Sequence, residues 1–164
     1  MSLERFKTAQ AKPHAGHATA LAELRAGRKQ SHWIWYILPQ LGGLGQSSTA
    51  RLYGLDLDEA VSYLRDPELR DRLVEIVAVI AVQLADPEPV SLSTLFPGID
   101  ATKAVSSLTL FEGVASWLGE VESDGTYDAV EAQLRGVLDA VGRQGFARCA
   151  FTLKQLNQLW KREG

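Results

Sequence analysis

The chain is poor in the residues that usually build metal and redox centres. It has a single cysteine, Cys149, which excludes an intrachain disulfide framework and a cysteine-rich zinc centre. It has three histidines. His14 and His17 are three apart, with Glu23 further along, but a metal ion needs three or four well-placed ligands; no metal and no cofactor are expected. Cationic surplus is also missing: 17 Lys and Arg stand against 20 Asp and Glu, a net charge of −3. That argues against a nucleic-acid partner, which demands a cationic surface to displace counterions. The longest strongly apolar run is Ile76–Val82, far short of the roughly 18 residues of a membrane span. The start, MSLERFKTAQ, carries Glu4, Arg5 and Lys7 and has no apolar core of signal-peptide length. With the lone thiol, this points to a reducing cytoplasm. Long linkers, low-complexity tracts and internal repeats are absent, so 1–164 reads as a single domain.

What remains is helical. Leu69, Leu73, Ile76, Val77, Ile80 and Leu84 recur at the spacing of one helix face. Asp66-Pro67 supplies an N-cap and a first-turn proline, and Asp86-Pro87 ends the segment. Tyr127, Val130, Leu134, Val137, Leu138 and Val141 repeat the pattern, with Gly142 as the expected C-cap. Asp56 with Glu59 three residues on opens a shorter helix through Leu64. Asp100 is expected to cap a helix over Ala101–Leu118, and Leu153, Leu156 and Trp160 mark a last one. Near the start, Pro13 divides Leu3–Gln10 from a second helix, Pro13–Ala26, ended by Gly27. The expectation is an all-α domain of about six to eight helices.

Ser31–Leu38, SHWIWYIL, is ambiguous. Its aromatic and β-branched residues favour a strand, but a lone strand would have no partner and would bury an unpaired backbone edge. Helix is therefore the better reading, capped by Ser31 and ended by Pro39. Trp33, Ile34, Ile37 and Leu38 then face the core, with His32, Trp35 and Tyr36 on the other side.

GRKQSHWIWYILPQLGGLG, Gly27–Gly45, resembles the signature of the domain of unknown function 1810 family. FKTAQ at Phe6–Gln10, DEAVSYLRDPELRDRL at Asp58–Leu73 and DATKAVSSLTLFEGV at Asp100–Val114 are similar to further family segments. The resemblance spans about the first two thirds of the chain. It implies an all-α fold and supplies no established reaction. Asp66-Pro67 stands where relatives commonly carry His-Pro, and only Gly145 and Thr152 match a C-terminal Gly, Asp, Thr pattern.

Two segments carry candidate chemistry. In the first, Lys29, Ser31, Trp35, Tyr36 and Gln40 are candidate ligand-binding residues around His32. A helix N-terminus at Ser31 would offer free N–H groups to a phosphate or carboxylate, with aromatic rings to stack on a flat group. Histidine is the side chain that ordinarily changes charge near neutral pH, which makes His32 the acid–base candidate. In the second, Lys103 and Ser107 are candidate catalytic residues four apart on one helix, and Ser106 is a candidate ligand contact. The bland reading is that Ser31 only caps, the rings fill core, Lys103 pairs with Asp100 and the serines bond back to their helix. The glycine-rich loop Gln40–Ser48 matches neither a dinucleotide fingerprint nor a P-loop.

Two functions follow. In one, His32 and Lys103 line a common pocket for a small ligand, phosphate-bearing or otherwise anionic, a class that includes nucleotides, with or without turnover. In the other, the aromatic surface binds a protein or a second copy of the chain.

Overall fold

The computed structural model describes residues 2–162. It holds ten helices: α1 (Glu4–Gln10), α2 (His17–Arg25), α3 (Ile34–Ile37), α4 (Ser48–Tyr53), α5 (Leu57–Arg65), α6 (Pro67–Leu84), α7 (Leu92–Leu95), α8 (Asp100–Glu122), α9 (Gly125–Arg143) and α10 (Ala150–Lys161). The count exceeds six to eight because α3 and α7 are single turns and because α4 rises out of the glycine-rich loop. No strand forms among the described residues; one isolated bridge joins Leu41 to Leu55. No helix among them is long and apolar enough to cross a membrane.

α8 is the axis of the molecule, with α9, α10, α5, α3 and α7 packed around it. The reason is compositional. Between Ala101 and Leu118 it is apolar nearly all round, and even Ser106, Ser107 and Thr109 are buried. Ser106 and Ser107 lie on the side covered by neighbouring helices, while Thr102 is exposed and Lys103 half-buried. α2 packs on α6, and α6 on α9 and α5.

Cap chemistry sets most boundaries. Asp56 accepts from the Glu59 amide while Glu59 accepts from that of Asp56, a complete capping box. Asp66 accepts from the Glu68 and Leu69 amides ahead of Pro67. The six apolar residues expected on each of α6 and α9 are all buried. Asp100, by contrast, is not a cap. Ile99 occupies that position, and the Asp100 carboxylate sits inside the first turn facing two lysines. α2 starts at His17 instead of Pro13, because Pro13–Gly16 forms a turn in which Ala15 has φ +58°.

The end of α9 also differs from expectation. Gly142 is ordinary helix; Gln144 is the C-cap and Gly145 takes the left-handed conformation at φ +96°. Phe146 N–H donates to Val141 O at 3.0 Å and Gly145 N–H to Gly142 O at 3.0 Å. These are the two hydrogen bonds of a Schellman ending. A built Cβ meets nothing within 4 Å at either glycine, so backbone conformation alone decides. Gly142→Ala is expected to stabilise the chain by about 0.5–1 kcal/mol, and Gly145→Ala to destabilise it by about 1 kcal/mol, in urea unfolding.

Candidate functional site

The site begins with how α2 ends. Gly27 adopts φ +92°, and Arg28 N–H donates back to Glu23 O at 3.1 Å, a second Schellman ending. The following residues then wrap around the Glu23 side chain. Its carboxylate accepts from Gln30 N–H (2.7 Å), Ser31 N–H (2.8 Å), Ser31 Oγ (2.5 Å) and Trp33 Nε1 (2.9 Å). Burial by itself raises the Glu23 pKa; the donors of Ser31, Gln30 and Trp33 outweigh it and bring the carboxyl down to about 2.

This arrangement overturns the reading of Ser31 as a cap. Its hydroxyl and amide are committed to Glu23, and α3 starts three residues later, with Trp33 at the N-cap position and no side-chain cap. A four-residue helix supplies no useful dipole. Tyr36 is likewise not on an open face. It is buried, and its hydroxyl donates to Ala15 O (2.7 Å) and His32 O (3.2 Å). Gln10 Nε2 donates to Tyr36 O (2.8 Å) and to Tyr63 Oη (3.0 Å). Burial raises the Tyr36 pKa. Trp33 is fully buried and Trp35 half-buried, so these rings mostly fill core.

Lys29 is a buried strut. Its amide donates to Leu95 O at 2.8 Å, and its ammonium meets Asp100 Oδ2 at 2.8 Å and Ser31 O at 2.5 Å, 5.0 Å from the Trp33 ring centroid. Asp100 also faces Lys103 at 3.9 Å, and the Lys103 ammonium lies 4.9 Å from the centroid of Trp35. The Trp35 indole N–H is buried without a partner. Beside this cluster opens a hollow of about 520 Å³ lined by Arg28, Lys29, Gln30, His32, Pro97 and Asp100. Arg28 and His32 are exposed on it. The structure thus brings Lys29 and His32 to one hollow, with Lys103 and Trp35 reached through Asp100.

The other candidates lie elsewhere. Ser107 is wholly buried with its hydroxyl unpartnered, and no substrate can reach it as a nucleophile. Ser106 donates back to Thr102 O at 3.0 Å. Gln40 belongs to the loop paired with residue 55, through a Leu55 N–H bond to its carbonyl at 3.0 Å, and does not line the hollow. His14 is exposed; His17 lies 3.8 Å from Glu75, and burial lowers its pKa against the pull of that carboxylate. Cys149 stands at the N-cap of α10. Burial raises its pKa, but donors from Ser106, Thr152 and Phe151 hold the thiol below its usual range.

Comparison with known proteins bears on residues 1–125, which hold the whole hollow. They match the family described as "Protein of unknown function (DUF1810)". The chain belongs to this family. Among solved structures, the crystal structure of the conserved hypothetical protein Rv1873 from Mycobacterium tuberculosis is similar, at 33% identity over 84% of each chain with a TM-score of 0.66. No curated protein matches. The part of the chain outside the DUF1810 match comprises nearly all of α9 and the whole of α10.

Sequence reasoning missed Arg28, and it weighed Glu23 only beside His14 and His17 as a metal ligand, not as the acceptor that holds the loop. A carboxylate one turn before a helix-ending glycine, followed by a polar stretch with Ser and Trp, was the available signal for Glu23. Arg28 carried none, because an exposed arginine beside a loop is ordinary until its neighbours are known.

Proposed function

We propose that the chain binds a small oxyanion, a phosphate ester or carboxylate, in the hollow at the start of α8. The observation that carries this reading is the excess of cation around one carboxylate. Asp100 is already held by Lys29 and Lys103, while Arg28 and His32 stand exposed at the rim without side-chain hydrogen bonds among the described residues. Two further features support it. The hollow opens at the N-terminus of a 23-residue helix, whose first-turn amides add positive potential. The Glu23 hydrogen bonds hold the Gln30 and Ser31 amides and the Trp33 indole, so the chain path between Arg28 and His32 is set before any ligand arrives. A volume near 520 Å³ suits more than a bare ion. In this reading Arg28 and His32 bind, while Lys29, Asp100 and Lys103 position. Ser107 takes no part, and turnover is not included.

Titration with inorganic phosphate and with a nucleoside monophosphate at fixed ionic strength tests this by two-dimensional NMR. Shifts are expected at residues 28–32 and 97–103. Arg28→Ala and His32→Ala are each expected to weaken binding about tenfold or more, with thermal midpoints within about 2 °C of the parent because both residues are exposed. Titrations that leave both segments unmoved overturn the proposal.

A further inference from the structure

The outer face of α6 is built unlike a solvated helix. From Ile76 to Ala85 the sequence carries no charge. The inward positions Ile76, Val77, Ile80 and Leu84 are buried, but Ala78 and Ala85 are exposed and Val82 is 75% exposed. An isolated surface valine is unremarked; a bare apolar face over the second half of an 18-residue helix is not. Two hollows flank Val82. A smaller one of about 350 Å³, which it lines, faces α2. A larger one of about 680 Å³ lies between α6 and α9, where a Cβ built on Gly136 meets nothing within 4 Å.

The charges at the two ends are complementary. The smaller hollow carries Arg25 and Glu75, and the larger carries Asp86 and Arg143. Arg25, Asp86 and Arg143 form no ion pair among the described residues, and Glu75 approaches only His17, at 3.8 Å. Each end thus presents one acid and one base that its own chain leaves largely unused. A two-fold axis between the hollows would bring the Arg25–Glu75 end of one copy against the Asp86–Arg143 end of another. Val82 would then stand over the wider α6–α9 hollow. Such an exchange, in which residue i meets residue j and j meets i, is what an isologous dimer requires.

We infer that two copies of this chain associate through the outer face of α6, each seating Val82 in the α6–α9 hollow of the other, with Arg25 facing Asp86 of the second copy. This surface is separate from the anion hollow, and neither reading depends on the other.

Sedimentation velocity on the full chain between about 1 and 500 µM tests it. A concentration-dependent dimer is expected. Val82→Glu should leave a monomer with an unchanged circular-dichroism melt, since the side chain is mostly in water. Phe151→Glu, on the exposed face of α10, should leave the dimer intact. Arg25→Asp should weaken association about tenfold, and adding Asp86→Arg in the same chain should restore it, because both copies then present the reversed pair. A parent chain that stays monomeric throughout overturns the inference. So does a dimer indifferent to Val82→Glu, or one disrupted by Phe151→Glu, or a double charge reversal that fails to restore.

Discussion

Gly16→Ala is expected to be the most damaging methyl group that can be added to this chain, costing at least about 3 kcal/mol in urea unfolding. Gly16 is the N-cap of α2 and is buried. A Cβ there would collide with Lys12 O and stand 2.7 Å from Gln10 O. Both atoms are backbone, so no side chain can swing aside. The path of the chain is also pinned on either flank. Gln10 reaches Tyr36 O and Tyr63 Oη, and Ala15 O accepts from the Tyr36 hydroxyl. Moving the α1–α2 turn would break these buried bonds. The same substitution at Gly142 is expected to stabilise, which makes the pair a control for helix propensity: an unfolding midpoint for Gly16→Ala within about 0.5 kcal/mol of the parent would show that the turn yields.

The second large effect falls on Glu23. Glu23→Ala strips the acceptor from two amides, one hydroxyl and the indole N–H of the fully buried Trp33. An orphaned buried donor costs about 1–3 kcal/mol, so a loss of about 3 kcal/mol is expected, together with a fall in thermal midpoint of about 10 °C. Anion binding should fail as well, because Arg28 and His32 lose their anchorage. The pH dependence has a definite sign. The folded carboxyl is held near 2, below its ordinary 4.5. Its contribution is therefore complete above 4.5 and disappears as the pH falls towards 2. Allowing for partial solvent exposure, this amounts to about 2 kcal/mol. Urea midpoints measured across that window should slope for the parent and lie flatter for Glu23→Gln. Parallel profiles would show that the carboxylate charge is not what the loop depends on.

How much was legible follows from where the controlling partner lies in the sequence. α5 and α6 were readable almost to the residue, since Asp56, Glu59, Asp66 and Pro67 act on amides two or three positions away. Ser31 was misread for the opposite reason. In isolation it is a good cap, but a carboxylate eight residues earlier competes for its hydroxyl and wins. Asp100 lost its capping role to Lys29, 71 positions distant. Ser107 vanished into the interior because burial of α8 depends on the helices that surround it, which periodicity along one helix does not reveal. α4 was invisible within a glycine- and serine-rich loop whose local composition argues for a turn, and it buries none of its residues. The expected meeting of His32 with Lys103 came out as a relayed one: the two reach each other's neighbourhood through Asp100, and only His32 lines the hollow.

The tie from Lys29 to Leu95 and Asp100 has a consequence for synthesis on the ribosome. A nascent chain that ends before residue 100 has no carboxylate at that position to neutralise the Lys29 ammonium, and leaving a charge uncompensated in the interior costs several kcal/mol. The Lys29 tie is consequently completed only once α8 begins to emerge, although α1, α2 and α3 are translated first.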